Sequence, residues 1–137
     1  MRGSAYSKDA YHESRSLGFT VATMSDIRQM GIPALIERIQ DRVGQAKVFV
    51  TFDIDVVDPA FAPGTGTPEV GGFTSAEAID LIHGLKGLNF VGFDVVEVLP
   101  DYDTAELTAL MAANIIYEFL SLISLNKKNS KPRGDNS

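Results

Sequence analysis

The sequence predicts an α/β fold with a parallel sheet. Two observations carry that reading. Continuous β-branched and aromatic runs, Val48-Phe49-Val50-Thr51-Phe52 and Phe90-Val91-Gly92-Phe93, lack the alternation of a half-solvated strand. Segments with helical spacing and helix-start signals fall between and after them. Parallel strands need such crossovers. Only about three strands are legible, fewer than a sheet buried on both faces requires, so the 137 residues are expected to form part of a larger three-layer α/β/α domain.

The elements follow in order. Residues 9–15 suit a short helix, and 18–23 form a β-prone run that reads as a strand. Pro33 opens a helix, because proline is tolerated at the first helical position. Leu35, Ile36, Ile39 and Val43 follow at helical spacing, and Gly44 can end it. The strand at 48–52 comes next, expected to be buried on both faces. A loop from 57 to 73 holds three prolines and four glycines, and a structureless stretch of that length in a compact domain usually serves a function. Thr74-Ser75-Ala76-Glu77 is a capping box that starts a helix running to about Leu85. A strand covers 90–96. Asp103-Thr104-Ala105-Glu106 repeats the capping pattern before a helix to about Leu125, apolar almost all round and therefore expected to be buried. Residues 1–125 are read as the folded unit. Residues 126–137, with Lys127, Lys128, Lys131 and Arg133, read as a disordered basic tail.

Composition narrows the function. Lys and Arg number 12 against 18 Asp and Glu, a net charge of −6, which disfavours nucleic acid and anionic membranes and favours a cation. There is no cysteine, which excludes disulfides, thiolate metal sites and cysteine nucleophiles. No uninterrupted run of about 18 apolar residues is present and no apolar stretch follows Met1-Arg2-Gly3-Ser4, so neither a membrane span nor a signal peptide is expected, and the cytoplasm is the expected location. The acids are unevenly placed. Eleven lie between Asp53 and Glu106, where Lys86 is the only Lys or Arg.

Three features could carry chemistry. Asp53-Ile54-Asp55 ends the strongest strand, on the edge where open α/β sheets bind ligands. Alternate strand residues face the same side, so Asp53 and Asp55 are expected to project together about 6.5–7 Å apart, suited to hard divalent cations and, in a paired centre, to an acidified bridging water. Acids also mark the solvated ends of strands, so the pair alone leaves both readings open. The stretch Ala62-Pro63-Gly64-Thr65-Gly66-Thr67-Pro68-Glu69-Val70-Gly71-Gly72 combines glycines that permit close backbone approach with stiffening prolines, and lacks the Gly-Lys-Ser/Thr of a phosphate loop. In Asp94-Val95-Val96-Glu97, the glutamate falls at the same edge as Asp53 and suits bidentate pairing with a guanidinium, or simple solvation. His12 and His83 read as surface or capping residues.

Taken together, these strings resemble the ureohydrolases, the arginase and agmatinase family, closest to the agmatinase branch. The likeness spans roughly residues 2–123 and is carried by Phe52-Asp53-Ile54-Asp55-Val56-Val57-Asp58-Pro59, by the Pro/Gly loop and by Phe93-Asp94-Val95-Val96-Glu97-Val98-Leu99-Pro100. It implies an arginase-like fold and manganese-dependent hydrolysis of an agmatine-like guanidino compound to urea and an amine, with a place in polyamine metabolism. Asp53 and Asp55 match metal ligands of a binuclear Mn²⁺ centre, with Asp53 bridging. Glu97 matches the carboxylate that orients the guanidinium, and Thr67 and Glu69 lie in the substrate loop. The full-length family member is expected to be a homo-oligomer. The family's Gly-Gly-Asp-His and Asp-x-His-x-Asp strings do not occur in these residues. The expectation is therefore the C-terminal half of such an enzyme, inactive alone, or a non-catalytic remnant. A haloacid-dehalogenase-like phosphatase also begins with Asp-x-Asp after an apolar strand. It needs a downstream lysine and a Gly-Asp pair, and only Lys86 stands between the motif and the tail.

Overall fold

In the computed structural model, residues 9–130 are described. The elements run α1 (Ala10–Ser16), α2 (Met24–Val43), β1 (Lys47–Asp53), α3 (Ser75–Gly84), β2 (Asn89–Val96) and α4 (Leu107–Ser130). β1 and β2 pair in parallel, and no other strand occurs among the described residues.

The expected strand at 18–23 is not one. The segment joins neither open edge of the two-stranded sheet, and Thr23 takes another role. Its hydroxyl accepts from Asp26 N at 3.1 Å, and its N–H donates to Asp26 Oδ2 at 2.9 Å. This capping box starts α2 at Met24, ahead of the helix start expected at Pro33. Pro33 still follows a break. Gly31, at φ 79° and ψ 162°, interrupts the helix, and the chain re-enters it immediately before the proline.

The sheet is covered on one face, not two. Val48, Val50 and Phe52 pack into the core, while Phe49 on the other face is 59% exposed. A bulge makes this possible. The register passes from Val48↔Phe90 to Phe49↔Gly92, leaving Val91 over. The extra residue restores alternation, so that Phe90 and Phe93, three apart, both face α4. There Phe119 meets Phe93 in a stack at 4.9 Å and Phe90 edge-on at 6.3 Å. Burying Phe119 contributes roughly 1.5–3 kcal/mol, and its ring contacts add about 0.5–1.5 kcal/mol each. α3 packs on α4, and α2 on α3, on this same side. The described residues thus supply two of the three layers expected.

α4 is likewise buried along one stripe rather than all round. Thr108, Met111, Ala112, Ile115, Phe119 and Leu122 face the core at helical spacing, while Leu110, Tyr117 and Leu120 are exposed. By length and composition Leu107–Lys127 also meets the criterion for a membrane-crossing helix, which the search for an uninterrupted apolar run did not anticipate. A core helix with a packed face passes the same test. The helix runs on to Ser130, past the boundary expected at 125, and Asn126 Nδ2 donates to the Leu88 carbonyl. Residues 131–137 of the expected tail lie outside the described residues.

The start of α4 departs from a simple capping box. Ala105 and Glu106 adopt left-handed φ of 53° and 58°, so Asp103 caps further along, accepting from Thr108 N and Ala109 N, both at 2.9 Å. Burial pushes the Asp103 carboxyl up, but these N–H bonds outweigh it and hold it below the ordinary aspartate value. Gly64 rests on this cap. A Cβ there would lie 2.6 Å from Asp103 Cβ and 2.8 Å from its Cα. We therefore expect Gly64→Ala to destabilise the fold by about 1–3 kcal/mol, measured by urea denaturation. An unchanged midpoint would show that this contact is not tight.

Candidate functional site

The site forms where β1 and β2 end together. Asp53 is the last residue of β1, paired with Val96 at the end of β2. Alternation puts Asp53 on the open face with Phe49 and Thr51. The strand stops there. Residues Ile54–Val56 form a 3₁₀ turn, and Asp53 caps it by accepting from Asp55 N at 3.1 Å. Asp55 is therefore not the next same-face strand residue that the sequence suggested. The turn brings the two aspartates together by a hydrogen bond rather than by strand pleat.

Thr67 joins them from the loop, its hydroxyl donating to Asp55 Oδ2 at 2.9 Å. Three ties hold the loop in place. Asp58 accepts from Ala60 N at 2.9 Å and Gly71 N at 2.7 Å. Arg28 donates to the Gly71 carbonyl at 2.6 Å. Gly64 N donates to the buried Thr108 hydroxyl at 2.7 Å, while its carbonyl accepts from Leu99 N at 2.8 Å. That last bond fastens the loop to the segment carrying Glu97. Glu69 is exposed on the loop, two residues beyond Thr67.

Glu97 follows β2 at φ 63°. A non-glycine residue in this region costs about 1–3 kcal/mol, and such strain collects where a side chain must be aimed. The side chain is exposed, yet its charge reaches Asp53. Burial raises the Asp53 carboxyl above its ordinary value of 3.8, the Asp55 N–H partly offsets this, and the charges of Asp55 and Glu97 raise it further. Asp53 and Asp55 thus meet at the strand end, and the charge of the exposed Glu97 acts on the same Asp53 carboxyl. A cavity of about 460 Å³ between α3 and α4, lined by Ile79, Asp80 and Glu118 among others, lies away from it.

Sequence reasoning missed the ties, Asp58, Arg28 and Thr108. Asp58-Pro59 was a legible turn signal, but a contact such as Thr108 to Gly64, 44 residues apart, leaves no local trace.

A model of the arginase family matches residues 1–121. The chain belongs to the arginase family. A guanidinopropionase of Pseudomonas aeruginosa is 46% identical over 124 residues, covering 90% of this chain and 39% of that protein. An agmatinase from Enterobacter sp. is 51% identical over 110 residues, 80% of this chain and 36% of the relative. The crystal structure of a hypothetical agmatinase from Burkholderia thailandensis superposes with a TM-score of 0.82 at 43% identity, covering 93% of this chain and 39% of that one. The fold is the arginase fold, and the chain spans less than two fifths of these relatives' length. The phosphatase reading gives way to this membership.

The family implies a metal centre, and the residues can be tested against one. Asp53 and Asp55 are two half-buried oxygen donors, the Asp53 carboxyl raised by burial and then by neighbouring charge, a setting that a cation would relieve. Among the described residues, however, no group of three or more His, Cys, Asp and Glu side chains gathers to hold a metal ion. A hard divalent cation usually takes about six ligands, so these residues alone do not complete a site.

The raised Asp53 carboxyl has a consequence for stability. Its charged form is disfavoured in the folded state, so the folded chain holds its proton to higher pH than the unfolded chain. The penalty is absent below about pH 3.8 and fully present above the raised value. Asp53→Asn keeps an acceptor for Asp55 N–H. We expect it to raise Tm at pH 7, with the gain shrinking as pH falls and vanishing below the ordinary carboxylate value. Equal Tm values at pH 7 would contradict the crowding.

Proposed function

We propose that this chain carries the carboxylate half of a ureohydrolase site, the part of a guanidino hydrolase that orients the cationic head and contributes acidic metal ligands. The observation that carries the reading is Asp53 at the strand end, accepting from Asp55 N at 3.1 Å, its carboxyl raised by burial and then by the charges of Asp55 and Glu97. A desolvated carboxyl with the charges of two further acids nearby favours a positively charged guest. A planar guanidinium satisfies Glu97 through two parallel N–H bonds.

On this reading Asp53 and Asp55 are two ligands of a manganese centre whose remaining donors come from outside the residues described. No reaction step is written through that metal. This chain's part is positional. Glu97 holds the guanidinium in line, its backbone aimed by the left-handed turn. Thr67 fixes the orientation of the Asp55 carboxylate, and Glu69 lines the approach from the loop. Holding the electrophilic carbon in reach of an attacking water is the entropic share of such catalysis. The overall reaction is hydrolysis of a guanidino compound to urea and an amine. The P. aeruginosa and Enterobacter relatives, named guanidinopropionase and agmatinase, suggest guanidinopropionate and agmatine as the substrates to try first. A cytoplasmic setting and a homo-oligomeric full-length protein complete the proposal.

The test is urea release. With Mn²⁺ and agmatine, guanidinopropionate or guanidinobutyrate, the chain alone is expected to release none, because the ligand set is incomplete. Weak Mn²⁺ binding, lost in Asp53→Ala, should remain detectable by electron paramagnetic resonance. Supplied with the rest of the fold from a relative, the chain should release urea. Glu97→Gln should then lower kcat/KM by roughly 10²-fold. Urea from the isolated chain would refute the half-site. A complemented chain that binds no Mn²⁺ and yields no urea would mark a non-catalytic remnant.

A further inference from the structure

Thr67 stands three residues after Gly64 and four before Gly71, so where its hydroxyl falls depends on how the loop is held at those two points. The first is gripped from α4 and from the segment after β2. The second has a grip of its own. Asp58 Oδ2 accepts from Gly71 N at 2.7 Å, and Arg28 Nη2 donates to the Gly71 carbonyl at 2.6 Å. These bonds hold successive peptide planes, one on each side of the Gly71 Cα, and together fix both of its dihedral angles. Each has a charged partner, the stronger class of hydrogen bond. Gly71 lies at φ 86°, a conformation that glycine adopts without steric cost, and a Cβ there would come 3.3 Å from Arg28 Nη2. The missing side chain lets the guanidinium approach.

The two partners of Gly71 do different work. Asp58 belongs to the loop, beside the neck where Asp58 N donates to the Phe73 carbonyl at 2.8 Å and Phe73 N to the Val56 carbonyl at 3.0 Å. Its bond to Gly71 closes the loop on itself. Arg28 comes from outside the loop, 43 residues away in sequence. It follows the buried Ile27 near the start of α2, which the Thr23–Asp26 capping box fixes. Arg28 therefore ties the second limb of the loop to a firm post in the core layer.

We propose that Arg28 is a positioning residue of the site. By fixing Gly71 it sets the path of the loop tip, so that the Thr67 hydroxyl meets Asp55 Oδ2 and the Asp55 carboxylate is presented in one orientation. Arg28 acts through the loop and touches no substrate. A site group needs such support from residues that are themselves held in place. The proposal rests on the reading above for the role of Asp55, but its test follows Asp55 in the chain alone and does not depend on turnover.

The test is ¹³C NMR of the Asp55 side-chain carboxylate in the full chain at pH 7, with amide hydrogen exchange at Gly71. Thr67→Val removes the hydroxyl and marks the resonance of Asp55 without that donor. Arg28→Ala should move the Asp55 resonance most of the way to the same position and speed exchange of the Gly71 amide about tenfold, with the circular dichroism unchanged. Arg28→Lys, which can still donate to the Gly71 carbonyl, should restore most of both readings. Arg28→Ala combined with Thr67→Val should move Asp55 no further than Thr67→Val alone, as two changes acting through one contact do. Arg42→Ala, which loses a similar bond to the Gly18 carbonyl at 3.0 Å, should leave both readings in place. An Asp55 resonance indifferent to Arg28→Ala, whatever happens to Tm, would make Arg28 a structural tie only and overturn the proposal. Equal shifts in Arg28→Ala and Arg42→Ala, the mark of general loosening, would overturn it too.

Discussion

The partial burial of Asp53 beside other acids, at the ends of two parallel strands, is the constraint on which the rest depends. Asp53 is desolvated there, with the charges of Asp55 and Glu97 acting on it. The fold holds them there with local devices. Asp53 caps the turn that contains Asp55, Thr67 ties Asp55 to the loop, and Glu97 follows β2 in a strained left-handed conformation. Each device costs or contributes on the order of 1 kcal/mol. Their agreement is more informative than any one of them, since a solvated strand end requires none.

The loop from 57 to 73 converts packing elsewhere into geometry at that corner. Gly64 joins three elements, bonded to Thr108 in α4 and to Leu99 after β2, and pressed against the Asp103 cap. The fully buried Thr108 and the stripe from Met111 to Leu122 anchor α4 to the sheet through Phe119. The start of α4 and the loop are thus in direct contact at Gly64. The apolar stripe and the acidic corner are two ends of one mechanical connection.

Much of this was legible in the sequence, where the signal is local. The Thr74/Glu77 capping box, the two strands, the long loop and the three carboxylates were readable because each is set by neighbours within a few residues. What failed did so for identifiable reasons. The run at 18–23 has strand propensity but joins neither edge of the sheet, and Thr23 caps α2 with Asp26 instead. The continuous apolar runs suggested two buried faces. The bulge at Val91, invisible to periodicity, puts Phe90 and Phe93 on one side and leaves Phe49 bare. Asp53 and Asp55 were expected to meet by pleat alternation, whereas Asp53 caps the 3₁₀ turn that contains Asp55. Long-range ties such as Arg28 to Gly71, 43 residues apart, have no signature in a single sequence.

The most direct measurement of the central claim is a ¹³C NMR titration that follows the Asp53 side-chain carboxyl in the intact chain and in Glu97→Gln. If the three carboxylates share one corner, Asp53 titrates above the ordinary aspartate value and its midpoint falls when the Glu97 charge is removed. A midpoint at or below the ordinary value, unmoved by that substitution, would contradict the account.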